Sequence, residues 1–76
     1  MVVSVIAFGS LTEIVGEQLS LDDVRDTNAL VNKLNVRFPE LKNSKYLVAV
    51  NKKMINANTA LNGNDTIALM PPFSGG

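Results

Sequence analysis

The sequence contains no cysteine and no histidine. Their absence removes the thiol nucleophile, the side chain that titrates near neutral pH and the two commonest transition-metal ligands. A resident metal is therefore not expected, and no disulfide can form, so composition makes no demand for an oxidising compartment. Charge of one sign is also lacking, because seven Lys and Arg balance seven Asp and Glu. Without a basic excess, a nucleic-acid surface is not expected. No apolar run is long enough for a membrane span. The start, Met1-Val2-Val3-Ser4-Val5-Ile6, lacks a basic n-region and a small-residue cleavage site, and Ser10, Thr12 and Glu13 soon interrupt it. It reads as a strand, with a cytoplasmic location as the expectation. Length adds one more exclusion. A chain of 76 residues is one domain that buries only about 60% of its unfolded surface. Enclosed ligand pockets need roughly 300–1,000 Å³, so any enclosed active site would have to be shared with a partner.

What is present alternates between strands and one helix. Val2 to Phe8 is rich in β-branched residues and predicts a first strand. Gly9-Ser10 and Gly16-Glu17 bracket a connection to a short returning strand at Gln18 to Leu21. Asp26 or Thr27 can cap a helix whose Leu30, Val31, Leu34 and Phe38 share one face. Pro39 restricts Phe38 and ends it. Asn28, Asn32 and Asn35 are poor helix formers, so packing of the apolar stripe must hold this segment. Tyr46 to Asn51 predicts a strand, Lys52-Lys53 a turn into a short strand at Met54-Ile55, Asn56 to Asn64 a loop, and Asp65 to Met70 the last strand. One helix can cover only one face of so small a sheet, which predicts an α+β roll.

Alternation along these strands sorts their side chains. Val3, Val5 and Ala7 point one way, and Ser4, Ile6 and Phe8 the other; Ile67 and Leu69 oppose Thr66, Ala68 and Met70. If the helix covers the Val3, Val5, Ile67 and Leu69 side, then Ile6, Phe8, Ala68 and Met70 face away from it. A one-sided sheet should be polar on its open face, and this one is not. An apolar open face marks a partner surface; a loop laid over it, or scattered exposed apolar residues, is the plainer alternative.

The end of the chain differs from everything before it. Pro71-Pro72-Phe73-Ser74-Gly75-Gly76 opens with two prolines that cannot donate to a sheet ladder, so pairing should stop at Met70. The expected division is a domain over residues 1–70 and an extended tail over residues 71–76. Prolines favour a polyproline-like course, and paired glycines make the slimmest possible terminus. Two terminal glycines arise by chance about once in 200 chains; Pro-Pro, an aromatic and Gly-Gly directly after a strand are harder to dismiss. Such an arm suits a carrier. Adenylation of the terminal carboxylate by ATP makes a mixed anhydride that a persulfide sulfur can attack, leaving a thiocarboxylate. A slim arm can then enter two enclosed sites in turn, as other swinging-arm carriers do. Ordering its six residues costs roughly 6–12 kcal/mol, which rigid prolines reduce and a buried Phe73 offsets by about 1.5–3 kcal/mol.

Ala49-Val50-Asn51, Leu61 and the run from Asp65 through Gly76 resemble the C-terminal half of the molybdopterin synthase small-subunit family, which are ubiquitin-like thiocarboxylate carriers. Phe8-Gly9-Ser10-Leu11-Thr12-Glu13 and Gly16 resemble that family's first strand and loop. The resemblance implies a β-grasp fold: a mixed sheet with one main helix on one face. It also implies a thiocarboxylate on Gly76, with Gly75, Ser74, Phe73, Pro72 and Pro71 inserting into the large synthase subunit. Phe8, Met54 and Met70 would be the apolar partner contacts. A ubiquitin-activating-like adenylyltransferase would use ATP, a persulfide would supply sulfur, and a cyclic pyranopterin precursor would receive it, with no cofactor held tightly. The chain departs from the family's habit at Thr12 (often arginine), Asn64 (often glycine) and Met70 (often aromatic). Asparagine is the next most tolerant residue of a left-handed turn, and methionine can fill an aromatic's pocket. Alternatives are a carrier for thiamine or another sulfur metabolite, a protein modifier, or a plain β-grasp interaction domain. Thiamine carriers lack the Pro-Pro step, and modifiers usually place basic and leucine residues before the glycines.

Overall fold

The computed structural model describes residues 2–72. Its elements follow in the order β1 (Val2–Ala7), a 3-10 turn (Gly9–Leu11), α1 (Thr12–Val15), β2 (Gln18–Asp22), α2 (Thr27–Arg37), a second 3-10 turn (Pro39–Asn43), β3 (Leu47–Val50), β4 (Lys53–Met54) and β5 (Thr66–Met70). The five strands form one sheet in the order β2-β1-β5-β3-β4. β1 and β5 pair in parallel, while the β1–β2, β3–β5 and β3–β4 pairs are antiparallel. This is the mixed α+β roll that the strand–helix order implies. The connection from β1 to β2 carries two short helical turns that the glycine pattern alone does not reveal.

α2 starts and stops where its chemistry dictates. The Asp26 carboxylate accepts from the Ala29 backbone N–H at 2.8 Å, which satisfies one of the orphan donors of the first turn. Phe38 closes the helix, its N–H donating to the Leu34 carbonyl at 2.7 Å, and Pro39 follows. Leu30 and Leu34 are fully buried, and Val31 and Phe38 pack at the edge of the same core. They meet Val3, Val5, Ile67 and Leu69, all completely buried. Burying each such aliphatic side chain contributes about 1.5–3 kcal/mol, enough to outweigh the poor helix propensity of Asn28, Asn32 and Asn35. The loop after β4 clasps the same helix end. Asn58 accepts from the Asn28 N–H at 2.9 Å and from the buried Thr27 hydroxyl at 3.2 Å. The Thr27 hydroxyl in turn accepts from the Thr59 N–H at 2.9 Å.

Two tight turns close the far end of the sheet. β3 and β4 are joined by Asn51-Lys52, with Val50 opposite Lys53. Both turn residues have positive φ, 49° and 72°, as the primed hairpin turn requires. Asn51 also locks the turn to β5. Its side chain accepts from the Thr66 N–H at 2.9 Å and donates to Asp65 at 2.9 Å. The other Asp65 oxygen accepts from the Asn62 N–H at 2.8 Å. Asn64 sits at φ 72°, so asparagine does occupy the left-handed turn where the resembling family often has glycine.

Lys52 holds a left-handed conformation that its Cβ penalises, whereas the preferred partner of asparagine in this turn is glycine. Lys52→Gly should therefore raise the unfolding free energy by about 0.5–1 kcal/mol, read as a higher urea midpoint at unchanged m-value. The hydrogen bonds from Asn51 and then Asn62 hold the Asp65 carboxyl below the usual aspartate value of 3.8. A carboxylate with a lowered folded-state pKa stabilises the fold above the unfolded value and loses that contribution as pH falls through the folded one. Stability should thus decline below about pH 4, and Asp65→Asn should flatten that decline in urea titrations at stepped pH.

Candidate functional site

Two shallow grooves among the described residues are the best formed. The one between α2, β3 and the 55–58 loop measures about 290 Å³ and is lined by Thr27, Tyr46 and Asn58 among others. Its Thr27 and Asn58 polar groups are spent on each other and on the helix start. The second, of about 330 Å³, lies around Asp23, Val24, Arg25 and Ala29. Among the described residues no cluster of His, Cys, Asp or Glu could hold a metal ion, and no helix is long and apolar enough to cross a membrane.

The sheet face turned away from α2 is a different matter. Strand register places Ile6 beside Ala68, Ala68 beside Ala49 and Ala49 beside Met54, in one row on that face. A second row holds Met70 beside Leu47, with Phe8 at the same level, one residue past the Ala7–Leu69 pair. The third row, Ser4 beside Thr66, is polar, and so are Gln18 and Ser20, which β2 adds at the edge. Apolar groups therefore fill one end of the open face, the end at which β5 finishes. Phe8 is 49%, Leu47 42% and Met54 54% exposed, while Met70 and Ile6 are half-buried. No segment of the described chain covers them.

Sequence alternation placed Ile6, Phe8, Ala68 and Met70 on this face, and the burial pattern agrees, with Val3, Val5, Ala7, Ile67 and Leu69 buried on the other. Phe8, Met54 and Met70 are brought onto one surface although Phe8 and Met54 are 46 residues apart in sequence (54 − 8). Leu47 and Ala49 escape a reading of separate strands. Their facing follows only once β3 is registered against β5, and Ala49, though buried, stands outside the α2-side core.

Pro71 and Pro72 follow directly from this end of the sheet. Pairing stops at Met70, as the missing proline N–H requires. Beside them the Phe8 N–H donates to the Leu69 carbonyl at 3.0 Å. Thr12, standing where the resembling family often has arginine, is half-buried, and its hydroxyl donates to the Gly9 carbonyl at 2.8 Å. It braces the turn and carries no charge to a partner. Phe73, Ser74, Gly75 and Gly76, the rest of the expected tail, lie outside the described residues.

Comparison with known proteins bears on this arrangement. Residues 5–76 match the model of the ThiS family. The chain is 32% identical over 81 aligned positions to the molybdopterin synthase sulfur carrier subunit of Dictyostelium discoideum, covering 95% of this chain and 93% of that protein. It superposes with a TM-score of 0.78 and 32% identity on a chain of the protein–protein complex of subunits 1 and 2 of molybdopterin-converting factor from Helicobacter pylori, over the whole of both chains. The small archaeal modifier protein 1 of Haloferax volcanii shares the fold, with a TM-score of 0.81 at 22% identity over the whole of both chains.

Proposed function

The chain belongs to the ThiS family of ubiquitin-like β-grasp proteins, and we propose that it is the sulfur-carrier subunit of a molybdopterin synthase. One observation carries the reading: the apolar end of the open sheet face adjoins the point where Pro71 leaves the sheet. A partner seated on Phe8, Met54 and Met70 would have the chain terminus delivered at the rim of its own contact surface. The reading is supported by the Helicobacter pylori relative, which is found in a complex of subunits 1 and 2, and by the name of the Dictyostelium relative.

The reaction asks little of this chain's side chains, which suits a protein without cysteine or histidine. A Gly76 carboxylate oxygen attacks the α-phosphorus of ATP on a ubiquitin-activating-like adenylyltransferase, and pyrophosphate leaves. A persulfide sulfur adds to the resulting acyl adenylate and expels AMP. A thiol then cleaves the S–S bond of the acyl persulfide, ending as a disulfide and leaving the sulfur nearest Gly76 as a thiocarboxylate. In the large subunit's site that sulfur attacks an electrophilic carbon of a cyclic pyranopterin precursor, forming a thioester link as the carbon–oxygen bond it replaces breaks and the oxygen leaves protonated. Water cleaves the thioester and returns the Gly76 carboxylate. The acids and bases of the last step belong to the large subunit. Gly75, Ser74, Phe73, Pro72 and Pro71 form the inserting arm, with no cofactor bound to the chain itself. The proposed use of ATP and of a thiol supports a cytoplasmic setting.

Incubation with the cognate activating enzyme, ATP and a sulfur source should raise the intact mass by the difference between sulfur and oxygen. Deleting Gly76 should abolish that gain with the circular dichroism spectrum unchanged. An unaltered mass beside an enzyme of proven activity would sink the carrier reading. Met70→Arg should weaken binding of the large subunit about a hundredfold or more, since the interface would bury an unpaired charge. Equal affinity by calorimetry would place the interface elsewhere.

A further inference from the structure

Where β1 and β5 end side by side, the two chains do not simply part. Ala7 lies opposite Leu69 in the parallel ladder, and the Phe8 N–H extends it by one bond to the Leu69 carbonyl. The next residue on one strand's path is Gly9 and, two past Leu69 on the other, Pro71. Gly9 takes φ 60°, in the left-handed region. A Cβ on it would stand 3.0 Å from Pro71 Cγ and 3.5 Å from Cδ. The first of these distances is shorter than ordinary carbon–carbon contact, which is about 3.5–4.0 Å. The bare Gly9 backbone is thus the surface against which the Pro71 ring rests.

That surface is held firmly. The Thr12 hydroxyl donates to the Gly9 carbonyl at 2.8 Å, and the Leu11 N–H to the Phe8 carbonyl at 3.3 Å. Leu11 is 2% exposed and anchors the turn in the core. Pro71 is stiff in its own right, its φ fixed by the ring. A rigid ring against a rigid turn defines a direction.

We propose that Gly9 is a positioning residue for the C-terminal arm: its missing Cβ lets Pro71 pack against the first turn and so sets the direction in which the chain leaves the sheet. This rests on the carrier reading only for its consequence, since a misdirected arm would present the reacting terminus poorly to the acceptor site. A misplacement of about 1 Å can cost a hundredfold in a reaction that depends on position, and the few tenths of an ångström by which Pro71 would have to yield to a Gly9 Cβ cost a correspondingly smaller factor. Thr12 and Leu11 act at one remove, by holding the turn.

Gly16 supplies the control. It also has positive φ, 85°, but a Cβ there would meet nothing within 4 Å. Both Gly9→Ala and Gly16→Ala carry a positive-φ penalty, heavy at Gly16, whose ψ of 174° lies in a region almost confined to glycine, and only Gly9→Ala adds the contact with Pro71. Both should lower the melting temperature. Only Gly9→Ala should change the Cα–Hα residual dipolar couplings of Pro71 and Pro72 relative to those of β1 and β3, and Pro71→Ala in the same chain should lessen the penalty of Gly9→Ala. With thiocarboxylated proteins and the large subunit, Gly9→Ala should reduce the single-turnover rate of sulfur transfer about threefold to tenfold, and Gly16→Ala less than twofold. Unchanged Pro71 and Pro72 couplings in Gly9→Ala would overturn the positioning role whatever the protein carries. So would a transfer rate equal to that of Gly16→Ala. Failure of the wild-type protein to acquire sulfur would instead count against the carrier reading, leaving the couplings to decide the role of Gly9.

Discussion

Ser4 opposite Thr66 and Ala7 opposite Leu69 join the first strand of the chain to the last, in parallel, at the centre of the sheet. Almost every feature of consequence follows from that pairing. It buries Val3, Val5, Ile67 and Leu69 together under α2, and it sets Ile6 next to Ala68 on the opposite face. It also ends both strands at the same edge, where Gly9 meets Pro71. A parallel pair cannot be made by a hairpin. Everything between β1 and β5 must therefore act as the crossover, and closing so long a loop is repaid only when the core forms as a whole.

The molecule divides its labour between the two faces of one thin sheet. The α2 side supplies the stability available to a chain of this size, and the open side keeps apolar side chains uncovered. Leaving Phe8, Leu47 and Met54 substantially exposed forgoes stabilisation that a covering loop would provide. The same residues belong to the apolar end of the open face, beside the point where Pro71 leaves the sheet. Polar groups are concentrated at the other end, where Asn51 and Asp65 tie β3, β5 and the loop before β5 together. One end of the sheet is closed by internal hydrogen bonds and the other keeps its apolar groups uncovered.

Most elements were legible because local chemistry and tertiary need agree in them. Asp26 and Pro39 bracket α2 whatever surrounds it, and strict alternation in β1 and β5 sorted their two faces correctly. Elements governed by partners distant in sequence were not. The Gly9–Leu11 turn and α1 carry few intrinsic signals and are held by Leu11 and Val15 in the core. Tyr46 and Asn51 read as parts of a strand, but β3 spans only Leu47–Val50, because Asn51 is drawn into the turn and bonded to Thr66 and Asp65. Leu47 became a member of the apolar face only through its place opposite Met70.

By itself the sequence determined which chemistry the chain could not perform, where its helix begins and ends, which strand residues share a face, and that ladder pairing stops at Pro71. Each of these depends on side-chain type or on a period of a few residues, and so is written locally. Tertiary structure alone decided that β1 and β5 are neighbours, that Leu47, Ala49 and Met54 of β3 and β4 join Ile6, Phe8, Ala68 and Met70 on one face, and that Gly9 lies against Pro71. Those facts are set by register between segments up to 62 residues apart (71 − 9), and register is a property of the closed sheet that no single strand contains.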